Sequence, residues 1–156
     1  MSSKKPSEES LQKMLEIQWQ DHFQTRTQTW KALEITALIA IALVGLDLRF
    51  SSPILTVGVA ILLLVIAQFG IQITLKHRQV ERTKFLIIAS LEKELGLGKL
   101  EKQFAEGSVH LTPPEPLSWQ SIFQIRKSNN PLFIMRMHFA IQLFALVYLV
   151  LRLSSK

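Results

Sequence analysis

The chain has no cysteine among its 156 residues. Disulfides, thiolate metal sites and thiol nucleophiles are therefore all excluded. Other signatures of chemistry are absent as well. None of the histidines at positions 22, 77, 110 and 138 belongs to an HExxH pattern, and no carboxylate pair sits at ligand spacing with one. Neither a metal nor any other cofactor is expected on that pattern. No serine lies in a GxSxG. The run Leu95-Gly96-Leu97-Gly98 lacks the preceding strand and the following Lys-Ser/Thr of a phosphate loop, and reads as a helix end. The residues thus point away from an enzyme. A cleavable signal is not expected either. The start MSSKKPSEES is polar, the first apolar run begins near Ala32, and no small-residue cleavage site follows it. That first run is expected to act as its own uncleaved signal.

What is present is apolar length. Ile54 to Leu75 holds 22 residues with no charge and no proline. At about 1.5 Å per residue, such a helix can cross a hydrocarbon core of roughly 30 Å. Apolar residues make up 48% of the chain, and the mean hydropathy is +0.24. The expectation is an all-α membrane protein forming one membrane domain over residues 1–156. Three transmembrane helices are expected at about 32–50, 54–75 and 132–151, with amphipathic cytoplasmic helices beside them. The first of these is the least uniform, because its uncharged part, Ile35 to Leu46, is only 12 residues. Glu34, Asp47 and Arg49 are then expected near the interfaces, with Trp30 and Lys31 as an interfacial anchor. Ala32, Thr36 and Ala40, four apart, form a small-residue face on which another helix can approach closely.

The net charge of +6 is unevenly spread. With the N-terminus inside, residues 1–31 and 76–131 hold 14 of the 18 Lys and Arg. The positive-inside rule then favours a cytoplasmic N-terminus and an outward C-terminus. This distribution accounts for the basicity without nucleic acid, for which no basic-aromatic motif is present.

Along the chain, residues 1–7 read as disordered, and Ser7 with Glu8 and Glu9 reads as a helix N-cap with acids in the first turn. Leu11, Leu15, Trp19 and Phe23 recur every four residues, with Met14 and His22 beside them, giving an amphipathic helix over residues up to 31. No Gly or Pro separates it from the first span. Asp47 to Pro53 reads as a tight connection, so the first two spans form a hairpin over 32–75. The cytoplasmic region 76–131 begins with KHRQVER. Its first helix should bury Val80, Ile87, Ile88, Leu91 and Leu95 and stop at Gly96 in a C′ position. A short polar helix is expected over 98–107 and an extended Pro-rich linker over 108–117. Ser118 reads as the N-cap of WQSIFQIRK, whose Trp119, Ile122, Phe123 and Arg126 suggest an apolar edge with basic flanks.

Two constellations merit attention. Glu34, Gln68, Gln72, Arg136, His138 and Gln142 fall at similar depth in the cytoplasmic third of the expected membrane. Gln68/Gln72 and His138/Gln142 are each spaced by four, so each pair faces one way. Such groups are costly in lipid unless they meet partners or water. They read either as a helix-packing cluster, with Glu34 paired to Arg136 and the glutamines bonded across helices, or as the lining of a water-filled vestibule. The second constellation is the basic collar Lys76, His77, Arg78, Arg82 and Lys84. It reads as an anchor on anionic lipid headgroups or as a dock for an acidic partner.

The order of WQDHFQTRTQTW, a span hairpin, KHRQVERTKF and LEKELGL resembles the small bacterial inner-membrane proteins grouped as SLATT or RipA-like. The resemblance covers roughly residues 11–97. It implies a bacterial inner-membrane location and a two-span hairpin with cytosolic helices; those proteins are similar in turn to membrane pore effectors linked to antiphage defence. A third span departs from that layout. The function expected is a non-enzymatic membrane scaffold or partner-binding module. It would be a homo-oligomer and would present its cytoplasmic helices to a protein partner. An oligomeric pore or ion channel lined by Gln68 and Gln72 is the alternative.

Overall fold

The computed structural model describes residues 7–50, 52–96, 114–124 and 129–155. Three α-helices carry the fold: α1 (Glu8–Phe50), α2 (Pro53–Glu94) and α3 (Asn130–Ser154). A 3-10 turn, Trp119–Phe123, precedes α3. The amphipathic lead-in and the first expected span are one unbroken helix, as the lack of any Gly or Pro between them requires. The same holds for the second span and the helix after it.

The helix ends follow local chemistry. Ser7 Oγ accepts from the Ser10 amide at 3.3 Å, and Glu8 and Glu9 fill the first turn. Gly96 stands at φ 73°, a left-handed conformation that costs glycine little, and its amide bonds to the Lys93 carbonyl. Asn129 caps α3 by accepting from the Leu132 amide at 2.9 Å, with Pro131 in the first turn. Ser118 caps a five-residue 3-10 turn, not the longer helix expected there. The expectations for residues 1–6, for a helix at 98–107 and for Arg126 lie outside the described residues.

The chain divides into two compact units. One comprises residues 1–26 and 78–116, the other 27–77 and 117–156. In the first unit, α1 and α2 run antiparallel. Trp19 meets Phe85 edge-to-face at 6.0 Å, and His22 meets Phe85 at 4.8 Å. The buried line on α1 passes through His22 and Thr25, and Phe23 and Met14 are exposed. The expected four-residue stripe drifts because each step of four advances about 400° around the helix. By Phe23 it has turned off the core. On α2, Ile88 and Leu91 are buried, and Ile87, expected with them, is exposed.

In the second unit the three helices pack together, with α3 parallel to α1 and antiparallel to α2. Trp30 meets Phe133 near one end of the bundle, and Asp47 meets Tyr148 near the other. Ala40, Leu43 and Val44 pack against Val59, Leu63 and Ala145, while Ile71, Ile122 and Met135 form a second cluster. Two buried threonines keep their hydroxyls satisfied within their own helices. Thr36 returns to the Ala32 carbonyl at 2.8 Å, and Thr74 to Gly70 at 2.9 Å.

Two helices, α2 and α3, are long and apolar enough to cross a membrane. The sequence suggests three. α1 falls short because Glu34, Asp47 and Arg49 interrupt its apolar half.

Candidate functional site

Four polar arrangements lie in the second unit. The first gathers around Asp47, whose side chain is fully buried. One carboxylate oxygen accepts from Thr56 Oγ1 at 2.8 Å. The other accepts from the Tyr148 hydroxyl and from Arg152 Nε at 3.4 Å. Tyr148 and Arg152 are four apart on α3 and so share a face. One buried charge thus links all three helices, through α1, the start of α2 and the end of α3. Sequence reasoning placed Asp47 in a turn at the interface and missed this knot. The signal that could have found it is the Tyr148/Arg152 spacing.

The second arrangement is the glutamine pair. Gln142 Nε2 donates to Gln68 Oε1 at 3.0 Å, bonding α3 to α2 as the packing reading expects. Gln72 lies beside them on α2 and is exposed. The three amides line a groove with Leu64, Val65 and Phe69.

The third is His138, fully buried, with neither ring nitrogen hydrogen-bonded. Its imidazole occupies the space that a side chain at position 70 would fill. A Cβ built on Gly70 would come within 2.1 Å of the ring. Gly70 is therefore required for α2 and α3 to approach this closely.

The fourth corrects an expectation. Arg136 donates to the carbonyls of Ile122 and Gln124, at 3.1 and 2.7 Å, and ties the 3-10 turn to α3. Among the described residues no ion pair joins it to Glu34, which is exposed on α1. Glu34 and Arg136 do not pair because the guanidinium is oriented toward backbone oxygens of its own segment. The six residues expected as one cluster resolve into a bonded Gln68–Gln142 pair with Gln72 beside it, an isolated His138, an Arg136 clamp and an outward Glu34.

The collar residues are likewise engaged more internally than a solvated face would be. Thr29 Oγ1 and His77 Nδ1 are 2.7 Å apart in the second unit, where Lys76 is exposed. In the first unit Arg78 is buried, bonds Glu81 through Nη1 and donates to the Glu115 carbonyl at 3.1 Å. Lys84 lies 3.0 Å from the Asp21 carboxylate and donates to Thr25 Oγ1 at 3.0 Å. Arg82 is half-buried, and its Nε has no partner. Lys84 reads as a headgroup ligand because its acidic partner Asp21, 63 positions away, cannot be seen from the local pattern.

Beside them sits His22, its Nε2 3.8 Å from Glu81. Burial holds its imidazole below the ordinary value of 6.5. Glu81 opposes that shift, and Arg26, Lys84 and Arg78 reinforce it. Among the described residues of the first unit, His22, Glu81 and Arg78 are the one cluster with buried titratable groups in contact. Among the described residues, no group of His, Asp and Glu could hold a metal ion. No family model, curated protein or solved structure matches the chain.

Proposed function

We propose that the chain is a non-enzymatic integral membrane module. Its second unit lies in the bilayer, and its first unit is a polar helical hairpin offered to partners on the cytoplasmic side. The observation that carries this reading is where the apolar surface lies. Only 39% of the apolar window of α2 and 22% of that of α3 is buried inside the protein. The core helix of a water-soluble domain is covered on nearly all sides, whereas these helices leave Ile61, Phe69, Phe144 and Val147 outside. Lipid is the solvent that suits such a surface.

The same reading takes the second half of α1 as a span as well, making three. Asp47, the carboxylate that interrupts its apolar run, is neutralised inside the bundle by Arg152 and by two hydroxyls, so it does not face lipid. Glu34 lies close to Trp30 and Lys31, where a headgroup region can hydrate it. The distribution of Lys and Arg favours an N-terminus on the inside.

The absence of cysteine makes the test direct. Single-cysteine variants Gln12→Cys, Ser52→Cys and Ser155→Cys in native membranes are treated with a membrane-impermeant maleimide. Expected is labelling of Ser52→Cys and Ser155→Cys from outside, and of Gln12→Cys only in inverted vesicles. Labelling of all three from one side, or release of the chain by alkaline carbonate, removes the reading. A second reading, an oligomeric pore, draws on the amide lining beside Gln68 and Gln72. Ion flux from proteoliposomes that falls in Gln72→Leu would favour it over a scaffold.

A further inference from the structure

On α2, Ile61, Val65, Gln68 and Gln72 follow one another at spacings of four, three and four. That is the seam of a helix that packs against another helix at a shallow angle. It lies on the side of α2 away from the bundle core, whose own seam runs through Val59, Leu63, Ala67, Gly70 and Thr74. The groove beside it has a volume of about 540 Å³. Phe69 on its edge is 65% exposed.

The amides in this groove are not used up within the chain. Gln142 Nε2 bonds Gln68 Oε1, which leaves the Gln68 nitrogen and the Gln142 oxygen open. Gln72 makes no hydrogen bond among the described residues. Acyl chains offer neither a donor nor an acceptor, so amides turned outward in a membrane-spanning helix retain an unmet demand. No charge lines the groove, so nothing in it selects an ionic partner. An amide is both donor and acceptor and is therefore its own complement. We propose that a second copy of this chain occupies the groove, α2 against α2 about a two-fold axis, with the Gln72 amides bonded to each other.

The geometry of such a pair is constrained. It rests on the membrane reading above, in which all copies insert in one direction. The two-fold axis then runs along the membrane normal and the two α2 helices are parallel. Residues of the same number face each other, Val65 to Val65 and Gln72 to Gln72. Interhelical amide bonds of this kind set register and partner choice.

Single cysteines at Val65 and Phe69, in the otherwise unchanged full chain in membranes, are oxidised with copper phenanthroline. Ile41→Cys on α1 and Phe144→Cys on α3, both exposed, serve as controls. Expected is one discrete dimer band from Val65→Cys and Phe69→Cys and little product from the controls. Adding Gln72→Leu to the Val65→Cys chain should lower the yield at low protein-to-lipid ratio by roughly threefold to tenfold. Equal yields at the control positions, or no product at Val65 and Phe69, would overturn the two-fold pair. Alkaline carbonate separates the two failures. A chain that stays in the membrane without cross-linking at Val65 refutes this interface alone, while a chain that washes off refutes the membrane reading beneath it.

Discussion

The two units treat buried polarity in opposite ways, although α1 and α2 contribute to both. In the unit of residues 1–26 and 78–116, buried groups are ionic. Arg78 pairs with Glu81, His22 leans on Glu81, and Lys84 pairs with Asp21 across a half-exposed contact. Among the described residues of the unit of 27–77 and 117–156, the buried polar groups are neutral, with one exception. Thr36 and Thr74 bond back to their own helices, Thr29 meets His77, and two glutamines bond each other. The exception, Asp47, is held by Thr56, Tyr148 and Arg152 together. A buried charge is tolerated when an opposite charge meets it directly, as at Arg78 and Glu81, and the still deeper Asp47 has both carboxylate oxygens met. The change from one regime to the other occurs near Arg26 on α1 and His77 on α2. That contrast supports the proposed placement of the second unit in lipid.

The sharpest way to break the contrast is to remove its exception. Asp47→Ala would remove the acceptor that Thr56, Tyr148 and Arg152 share. Breaking a buried pair of this kind costs about 3–5 kcal/mol. Thermal unfolding of the detergent-solubilised chain should show it, and Asp47→Asn should lose less because two hydrogen bonds can persist. A destabilisation under about 1 kcal/mol would mean the knot is peripheral. Gly70→Ala comes next. Its methyl would overlap the His138 ring, and overpacking costs about 1–3 kcal/mol. The double variant Gly70→Ala/His138→Ala should be more stable than the sum of the single effects requires, since the second change removes the obstacle to the first.

These two sites also show what the sequence could and could not disclose. The long apolar helices, the Ser7 cap and the Gly96 stop depend on residues within a few positions of one another and were legible, whereas the helix expected after Ser118 is a 3-10 turn. The Gln68–Gln142 bond was legible in kind, because two polar residues in apolar runs at similar depth need each other. The Asp47 knot joins positions 101 and 105 residues apart, and no local pattern encodes that distance. Arg136 was misassigned to Glu34 because its real acceptors are backbone carbonyls, which have no sequence signature. Gly70 looked like one more small residue in an apolar run. Only the imbedded His138 ring explains why it has no side chain.

The ionic unit should differ from the other in its response to pH. Burial lowers the His22 pKa below 6.5, so the unfolded chain binds the proton more readily than the folded one. Stability of this unit is then complete above about pH 6.5 and falls as the pH drops below it toward the lowered folded value. His22→Phe should flatten that slope and keep the ring packing with Trp19 and Phe85. Amide exchange of α1 residues 11–25, measured at pH 7 and pH 5.5, checks it. Equal acid sensitivity in the variant would assign the loss to other groups.

The smallest effects sharpen the comparison most finely, because two of similar size should differ in kind. Asp21→Asn removes the carboxylate from Lys84 but leaves that ammonium its bonds to Thr25 Oγ1 and to the residue 21 carbonyl. Asp21 is about half exposed, so the loss should be below about 1 kcal/mol, and it should vanish as salt screens the pair. Gln68→Leu removes one neutral bond between α2 and α3, worth about 0.6 kcal/mol in a membrane interior. Salt should not change it, since no charge is lost and no counterion can enter the groove. Unfolding measured at about 0.05 M and 0.5 M salt should therefore move for the first variant and hold for the second. If the Gln68→Leu effect proved as salt-sensitive as the other, the two units would share one solvent, and the division between them would be one of packing alone.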